Sequence, residues 1–185
     1  MSEPLEMWKL YPEFWKTESA FLSFIRGGIR RHLWSKNPVK LQFMKESRVQ
    51  IPNDNVRSMK RFPTVSGGRC EMCEGLFKEK DMEVDHRTGE HSLRQISDVQ
   101  SFVEGIVFVR KEDLAYLCKP CHGIKTYAER YGVSIEEARV EKKVILLVKE
   151  GKVLAFLKEQ GIIPLSTAAK RRQQCVDYLK GELNV

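Results

Sequence analysis

Apolar residues recur at helical spacing early in the chain. The clearest stripe consists of four residues that lie four positions apart: Phe21, Ile25, Ile29 and Leu33. This spacing predicts an amphipathic helix whose apolar face packs on the core. Thr17 or Ser19 is suited to cap the helix. The Gly27-Gly28 pair weakens it, because glycine loses more backbone entropy in a helix than other residues do.

The next hundred residues show a more mixed pattern. A second short helix is predicted over residues 39–45, after Pro38. Residues 51–68 contain two prolines and the Gly67-Gly68 pair, so we interpret them as a linker with turns. Residues 82–87 alternate between apolar and polar side chains, which predicts a strand.

Helical periodicity returns after residue 133. Ser134 and Glu137 form a capping box, which predicts a helix that continues to about Lys149. Gly151 interrupts the pattern, and a short helix follows through Glu159.

A last helix is predicted over residues 168–179, after a turn and with Ser166 as its cap. Its first turns carry three basic residues, Lys170, Arg171 and Arg172. Two helices across a short turn can place such a basic end against DNA. The alternative, which we favour from the pattern alone, is a helical hairpin that packs on the core.

Charge is distributed unevenly along the chain. The net charge is +7. Residues 1–63 contain 12 Lys and Arg against 6 Asp and Glu, residues 64–132 contain 10 against 12, and residues 133–185 contain 10 against 7. A slightly acidic centre between two basic regions fits a metal-binding site between regions that contact phosphates, and it fits solvated basic faces equally well.

The composition excludes some classes of protein. No run of eighteen apolar residues is present, so the sequence predicts no membrane span. The first residues lack an apolar signal-peptide core, and we therefore expect a cytoplasmic protein. Clustered cysteines in that compartment favour metal binding over disulfides.

Four of the five cysteines form two C-x2-C pairs, namely Cys70 with Cys73 and Cys118 with Cys121. Two such pairs supply the four thiolates of a tetrahedral zinc site. Four protein ligands leave no open position on the ion, so the predicted zinc is structural. Forty-four residues separate the pairs, which predicts a folded segment between them. We expect Cys175, in the last helix, to be buried as a small apolar residue.

The segment between and after the cysteine pairs contains further candidate residues. They are Val84-Asp85-His86, Asp113-Leu114, the His122 that follows the second pair, and Lys125-Thr126. In this order and spacing the motifs resemble the HNH endonuclease family, and in particular its small free-standing members from bacteriophages. The resemblance covers about sixty residues, with a looser likeness around Ile25-Arg26 and Arg30-Arg31.

The resemblance implies an α+β fold with a zinc-stapled ββα-metal (HNH, or His-Me finger) core over residues 64–132. A basic helical segment (1–63) and a helical region (133–185) would flank it. It implies hydrolysis of phosphodiester bonds in double-stranded DNA, leaving a 5′-phosphate and a 3′-hydroxyl. A host-cell cytoplasmic location and no organic cofactor are also implied.

Residue roles follow from the same resemblance. His86 would be the general base that takes a proton from the attacking water. Asp85 and His122 would bind Mg2+ or another divalent ion, which stabilises charge in the transition state. Arg87 and Lys125, close to the site in sequence, would hold neighbouring phosphates.

Asp113 departs from the family pattern, which has an Asn nine residues before the final His. An Asp accepts the same backbone hydrogen bonds but cannot donate, and it adds negative charge near the ion. We expect altered metal affinity or slower turnover. His91 is interpreted as an exposed loop histidine, with an approach to the ion from the loop as the alternative.

Arg26, Arg30 and Arg31 form a cationic edge beside the first apolar stripe. They are candidates for DNA contacts, and a solvated surface is the equal alternative.

Two further functions are retained for the whole chain. One is a zinc-stapled DNA-binding module with an inactive nuclease site, and the other is a zinc-stapled structural or inhibitory protein. A monomer that nicks one strand is favoured, and a dimer that cuts both strands is the alternative.

Overall fold

The computed structural model describes residues 5–89 and 91–183 and has an α+β architecture. Its helices are α1 (Met7–Leu10), α2 (Glu18–His32), α3 (Pro38–Glu46), α4 (Val99–Val107), α5 (Lys119–Tyr131), α6 (Ile135–Lys149), α7 (Val153–Glu159) and α8 (Ala168–Leu183). Its strands are β1 (Arg48–Pro52), β2 (Thr64–Arg69), β3 (Leu76–Lys78), β4 (Met82–His86) and β5 (Leu114–Cys118). The chain divides into two compact units, with the boundary between Cys118 and Lys119.

The first unit contains both sheets. Strands β1, β2 and β3 form an antiparallel sheet in that order, and β4 pairs with β5 antiparallel. In the β4–β5 pair, Met82 lies opposite Cys118 and His86 lies opposite Leu114. This register brings the end of β4 to the start of β5. The predicted strand over residues 82–87 is confirmed for residues 82–86, and Arg87 lies just beyond its end.

Helix α2 is capped by Thr17, whose hydroxyl accepts a hydrogen bond from the amide of Ala20. The helix packs on α4 through a small apolar cluster: Leu22, Leu93, Phe102 and Ile106, with Ile25, Ile29 and Trp34 against it. The predicted apolar stripe is thus partly correct. Leu33 ends the helix with 44% of its surface exposed, whereas Leu22, outside the stripe, is buried.

The interpretation of residues 51–68 as a linker with turns is correct for residues 53–63 and wrong for the residues on either side, which belong to strands. β1 and β2 form a hairpin there, and Gly67 and Gly68 lie buried within β2. A Cβ on Gly68 would overlap the ring of Tyr116, and one on Gly67 would overlap the carbonyl of Phe77. The glycines are present because neighbouring groups approach the strand closely, which the glycine pair does not distinguish from a turn.

The second unit consists of α5 to α8. Ser134 and Glu137 form the predicted capping box of α6, and Gly151 follows that helix with a positive φ of 68°. Buried residues of α6, α7 and α8 pack together: Val140, Val144, Leu157, Cys175, Val176 and Leu179. The predicted burial of Cys175 is confirmed, and this burial raises the pKa of its thiol.

Helix α8 begins at Ala168 as predicted but continues to Leu183 instead of ending at residue 179, and its capping residue differs from the prediction by one position. The hydroxyl of Thr167, not that of Ser166, accepts the hydrogen bond from the amide of Lys170.

Within the described part of the chain, no helix combines the length and the apolar character needed to cross a membrane.

Candidate functional site

The four cysteines Cys70, Cys73, Cys118 and Cys121 form a cluster that could hold a metal ion such as zinc. Their sulfur atoms all lie within 4.8 Å of one another, and three of the four residues are buried. The Sγ atoms of Cys73 and Cys118 are 3.9 Å apart. Zn–S bonds of about 2.3 Å in a tetrahedron separate the sulfurs by about 3.8 Å, so this geometry fits zinc. Across residues 5–89 and 91–183 it is the one cluster of three or more potential ligands.

A tight turn shapes the first cysteine pair. Cys70 follows β2, its amide donates to the carbonyl of Gly75, and its carbonyl accepts from the amide of Glu74. Glu74 closes the turn with a φ of 59°. Cys118 ends β5, and Cys121 lies in the first turn of α5.

The pKa of the Cys70 thiol is lowered to about 7. Burial alone would raise it, but hydrogen bonds from the backbone amides of Cys118, Cys73 and Met72 to the thiolate outweigh that effect. Zinc binds the thiolate form of cysteine. The turn therefore favours the protonation state that a metal site needs.

His86 occupies a defined position at the end of β4. Its Nε2 lies 2.7 Å from the carbonyl oxygen of Gly105 in α4. Its ring stacks on Trp34, with centroids 4.8 Å apart and an angle of 22° between the planes. Both contacts lie within the first unit, and together they fix the orientation of the imidazole.

Sequence reasoning missed both partners of His86. Trp34 lies in a short 3-10 helix after α2 and belongs to no motif, and Gly105 contributes a backbone carbonyl, which no residue type reveals. A glycine within an otherwise apolar helix could have indicated that another group approaches the backbone at Gly105. His91 packs over Gly105, where a Cβ would overlap its ring, and its Nδ1 lies 3.0 Å from the hydroxyl of Ser101. His91 is exposed, as predicted.

Asp113 anchors the backbone beside His86. Its carbonyl accepts a hydrogen bond of 2.7 Å from the amide of Arg87. Its carboxylate accepts hydrogen bonds from the guanidinium and the backbone amide of Arg110, and these lower the pKa of Asp113. The positive charge of His86 in its protonated form acts in the same direction. Asp113 thus holds two backbone amides, that of Arg87 through its carbonyl and that of Arg110 through its carboxylate.

Arg87 connects this backbone segment to the first cysteine pair. Its Nη1 donates to Oε2 of Glu71 at 2.6 Å, and its Nε donates to the carbonyl of Glu112 at 2.9 Å. Oε1 of Glu71 in turn accepts the amide of Tyr116 in β5 at 2.8 Å. The guanidinium that was predicted to hold a phosphate is therefore engaged within the protein.

The structure places the two predicted ligands of the divalent ion in different units. Asp85 precedes His86 in β4 of the first unit, and His122 lies in the first turn of α5 in the second. Both side chains are half-buried. A carboxylate and an imidazole are suitable ligands for such an ion. Their pairing as a catalytic metal site stays a prediction.

The predicted DNA-contacting residues have varied environments. Arg30, Arg31 and Lys170 are exposed, whereas Nη2 of Arg26 donates to the carbonyl of Leu93 at 2.5 Å. Four others also have intramolecular partners: Arg87 as described, Lys125 with Glu129, Arg171 with the carbonyls of Leu165 and Ser166, and Arg172 with Glu141. All eight DNA contacts stay predictions.

Comparison with known proteins gives no relative: no family model, no curated protein and no solved structure matches this chain.

Proposed function

We propose that this protein is a metal-dependent DNA endonuclease of the HNH type, with His86 as the general base. The observation that carries the proposal is the position of His86. A carbonyl oxygen only accepts hydrogen bonds, so the contact with Gly105 requires the proton to be on Nε2. In the neutral ring the lone pair is then on Nδ1.

That tautomer gives His86 a specific chemical role. Nδ1 removes a proton from a water molecule, whose oxygen attacks the phosphorus of a phosphodiester. The bond from phosphorus to the 3′ oxygen breaks, which leaves a 5′-phosphate and, after protonation by solvent, a 3′-hydroxyl. Stacking on Trp34 and the Gly105 carbonyl keep the ring in one orientation, and such preorganisation is a large part of enzymatic rate enhancement.

Asp85 and His122 are the residues that would hold the divalent ion. When bound, Mg2+ or a similar ion stabilises negative charge on the phosphate in the transition state. Asp85 immediately precedes the base at the end of β4. Asp113 contributes through its backbone, since its carbonyl fixes the amide of Arg87, the residue that follows the base.

Zinc at the four cysteines would have a structural role. Cys70 and Cys73 follow β2, while Cys118 ends β5, so one ion would fasten the end of each of these strands. β5 pairs with β4, the strand that carries Asp85 and His86. The ion would thereby stabilise the strand pair that presents the proposed base.

Conversion of supercoiled plasmid by the zinc-loaded protein, with and without Mg2+, tests the proposal. His86→Ala should reduce the cleavage rate by a factor of about 100 to 10,000, the usual contribution of a general base. His32→Ala is the matched control, because His32 is an exposed histidine at the end of α2. Zinc content should be equal in all three proteins.

The form of the product distinguishes the modes of cleavage. Open circles indicate a nickase and suit one catalytic centre in a monomer, whereas linear product indicates paired cuts by a dimer. Mg2+-dependent cleavage that persists in His86→Ala would refute the general-base role. Duplex binding without cleavage by the wild type, with Mg2+ or Mn2+, would instead favour a binding module with an inactive site.

A further inference from the structure

The loop that joins β1 and β2 is ordered by internal hydrogen bonds, and its surface combines basic side chains with exposed apolar ones. We define this hairpin-tip loop as residues 53–63. We propose that it is a docking element for double-stranded DNA, an inference that rests on the proposed endonuclease function and extends it by naming a substrate-binding surface.

Asn53 organises the loop from within and is only 7% exposed. Its Nδ2 donates to the carbonyl of Phe62 at 2.7 Å and to the hydroxyl of Ser58 at 3.2 Å. Its Oδ1 accepts the amide of Asn55 at 3.0 Å, and its own amide donates to the carbonyl of Pro63 at 2.9 Å. A buried side chain with these contacts holds the two ends of the loop together.

A helical turn continues this order to the tip of the hairpin. The carbonyl of Asn55 accepts the amides of Ser58 and Met59, and the carbonyl of Ser58 accepts those of Arg61 and Phe62. The Asn55 side chain also accepts the amide of Arg57. The loop is therefore preorganised, and a preorganised surface loses less conformational entropy on binding than a flexible one.

The outer surface of the loop is basic. Residues 55–62 contain Arg57, Lys60 and Arg61 and no acidic residue. Within residues 5–89 and 91–183, none of these three side chains forms an ion pair with a carboxylate. Asp54, the nearest acidic residue in sequence, is paired with Lys78. Three unneutralised cations on one tip match a polyanion.

Apolar side chains project from the same tip. Val56 is 81% exposed, Phe62 is 54% exposed and Met59 is 44% exposed. The guanidinium of Arg61 lies over the ring of Phe62, 5.2 Å from its centroid. Proteins that enter a DNA groove often combine basic residues on the phosphates with an apolar residue against the bases. Proteins that read DNA with a β-ribbon place it in the major or the minor groove, and the β1–β2 hairpin has the form of such a ribbon.

Duplex affinity tests the docking role separately from catalysis. The probe is a fluorescein-labelled duplex taken from the test plasmid, titrated with full-length, zinc-loaded His86→Ala without Mg2+ over a series of KCl concentrations. In this background we compare the triple substitution Arg57→Gln, Lys60→Gln and Arg61→Gln with a control that removes the same charge. The control substitutes three exposed basic residues of α6 and α7: Arg139, Lys149 and Lys158.

The triple variant should bind at least about tenfold more weakly at physiological salt, and the slope of log affinity against log salt should decrease by about two to three. The control should keep the slope of its parent. Val56→Ser should weaken binding by about tenfold with no change in slope, because it removes apolar contact and no charge.

A loop variant whose affinity and slope equal those of the control would overturn the proposal, even if His86-dependent cleavage is observed. Loop-dependent binding that is tighter to single-stranded RNA than to the duplex would also overturn it. Loop-dependent duplex binding by a protein that cleaves nothing would support the docking surface and refute the endonuclease. Circular dichroism of each variant verifies that it is folded.

Discussion

Replacement of one of the four clustered cysteines, the proposed zinc ligands, should destabilise the protein far more than replacement of an equally buried cysteine elsewhere. Cys118 and Cys175 are 1% and 0% exposed, so both substitutions act on a buried sulfur. Cys118 belongs to the four-cysteine cluster, whereas Cys175 packs among apolar residues of the second unit. The pair Cys118→Ser and Cys175→Ala therefore isolates the contribution of the metal from that of packing.

The two magnitudes are well separated. Structural zinc sites contribute about 10–16 kcal/mol of apparent binding energy, comparable to the whole unfolding free energy of a domain, which is about 5–15 kcal/mol. If Cys118→Ser weakens zinc affinity a thousandfold, linkage removes about 4 kcal/mol of stability. Cys175→Ala removes one sulfur from a core, and we expect a cost of about 1–2 kcal/mol. The expected Tm decrease is thus about 10 °C or more for Cys118→Ser and a few degrees for Cys175→Ala.

Zinc content by mass spectrometry and thermal unfolding by circular dichroism give the comparison. The wild type and Cys175→Ala should retain one zinc per chain, and Cys118→Ser should lose most of it. A chelator should lower the Tm of the wild type towards that of Cys118→Ser. A metal-free Cys118→Ser protein that unfolds at the wild-type temperature would refute the structural role of the ion.

Three further predictions concern the framework around the site. Gly28→Ala should raise the unfolding free energy by about 0.5–1 kcal/mol, because Gly28 lies in a helix with open space around it. Gly68→Ala should lower the unfolding free energy by about 1–3 kcal/mol, because the added methyl group overlaps the ring of Tyr116. Urea unfolding measures both changes, and a change of the same sign in the two variants would contradict this reasoning. Asp113→Asn should leave or raise the cleavage rate, because the backbone carbonyl that fixes Arg87 is unchanged, and complete loss in the plasmid assay would contradict that role. Glu71→Gln should lower the cleavage rate without loss of zinc, because the Glu71 carboxylate holds the side chain of Arg87, the residue next to the proposed base. An unchanged rate of cleavage in single-turnover kinetics would argue against this positioning of Arg87 by Glu71.

Local signals in the sequence predicted much of the helical framework. The capping box at Ser134 and Glu137 and the break at Gly151 gave the bounds of α6 within a residue, because caps and glycines act over a few positions. Thr17 was one of two candidate caps for α2, and the hydroxyl geometry decides between them. The C-x2-C spacing likewise anticipated that the four cysteines lie together.

The features that sequence reasoning missed depend on contacts between distant parts of the chain. Gly67 and Gly68 resembled a linker, but β3 and β5 approach them so closely that no side chain fits. Trp34 and Gly105 hold His86 from segments that are 52 and 19 residues away in sequence, and one of them acts through a backbone atom. Such contacts carry no residue-type signature, whereas a metal-binding pair of cysteines does.

The engagement of Arg87 bears on why a structural metal would matter to catalysis. Its backbone amide binds the carbonyl of Asp113 and its side chain binds Glu71, which lies between the first two cysteines. Displacement of the cysteine turn would withdraw Glu71 and leave the guanidinium with its hydrogen bond to the Glu112 carbonyl alone, and Arg87 is covalently linked to His86. A shift of about 1 Å in a catalytic group is enough to slow a reaction a hundredfold. Zinc without an open coordination position would therefore influence turnover by holding Glu71 in place, and the loss of turnover on zinc removal would not by itself indicate catalytic zinc.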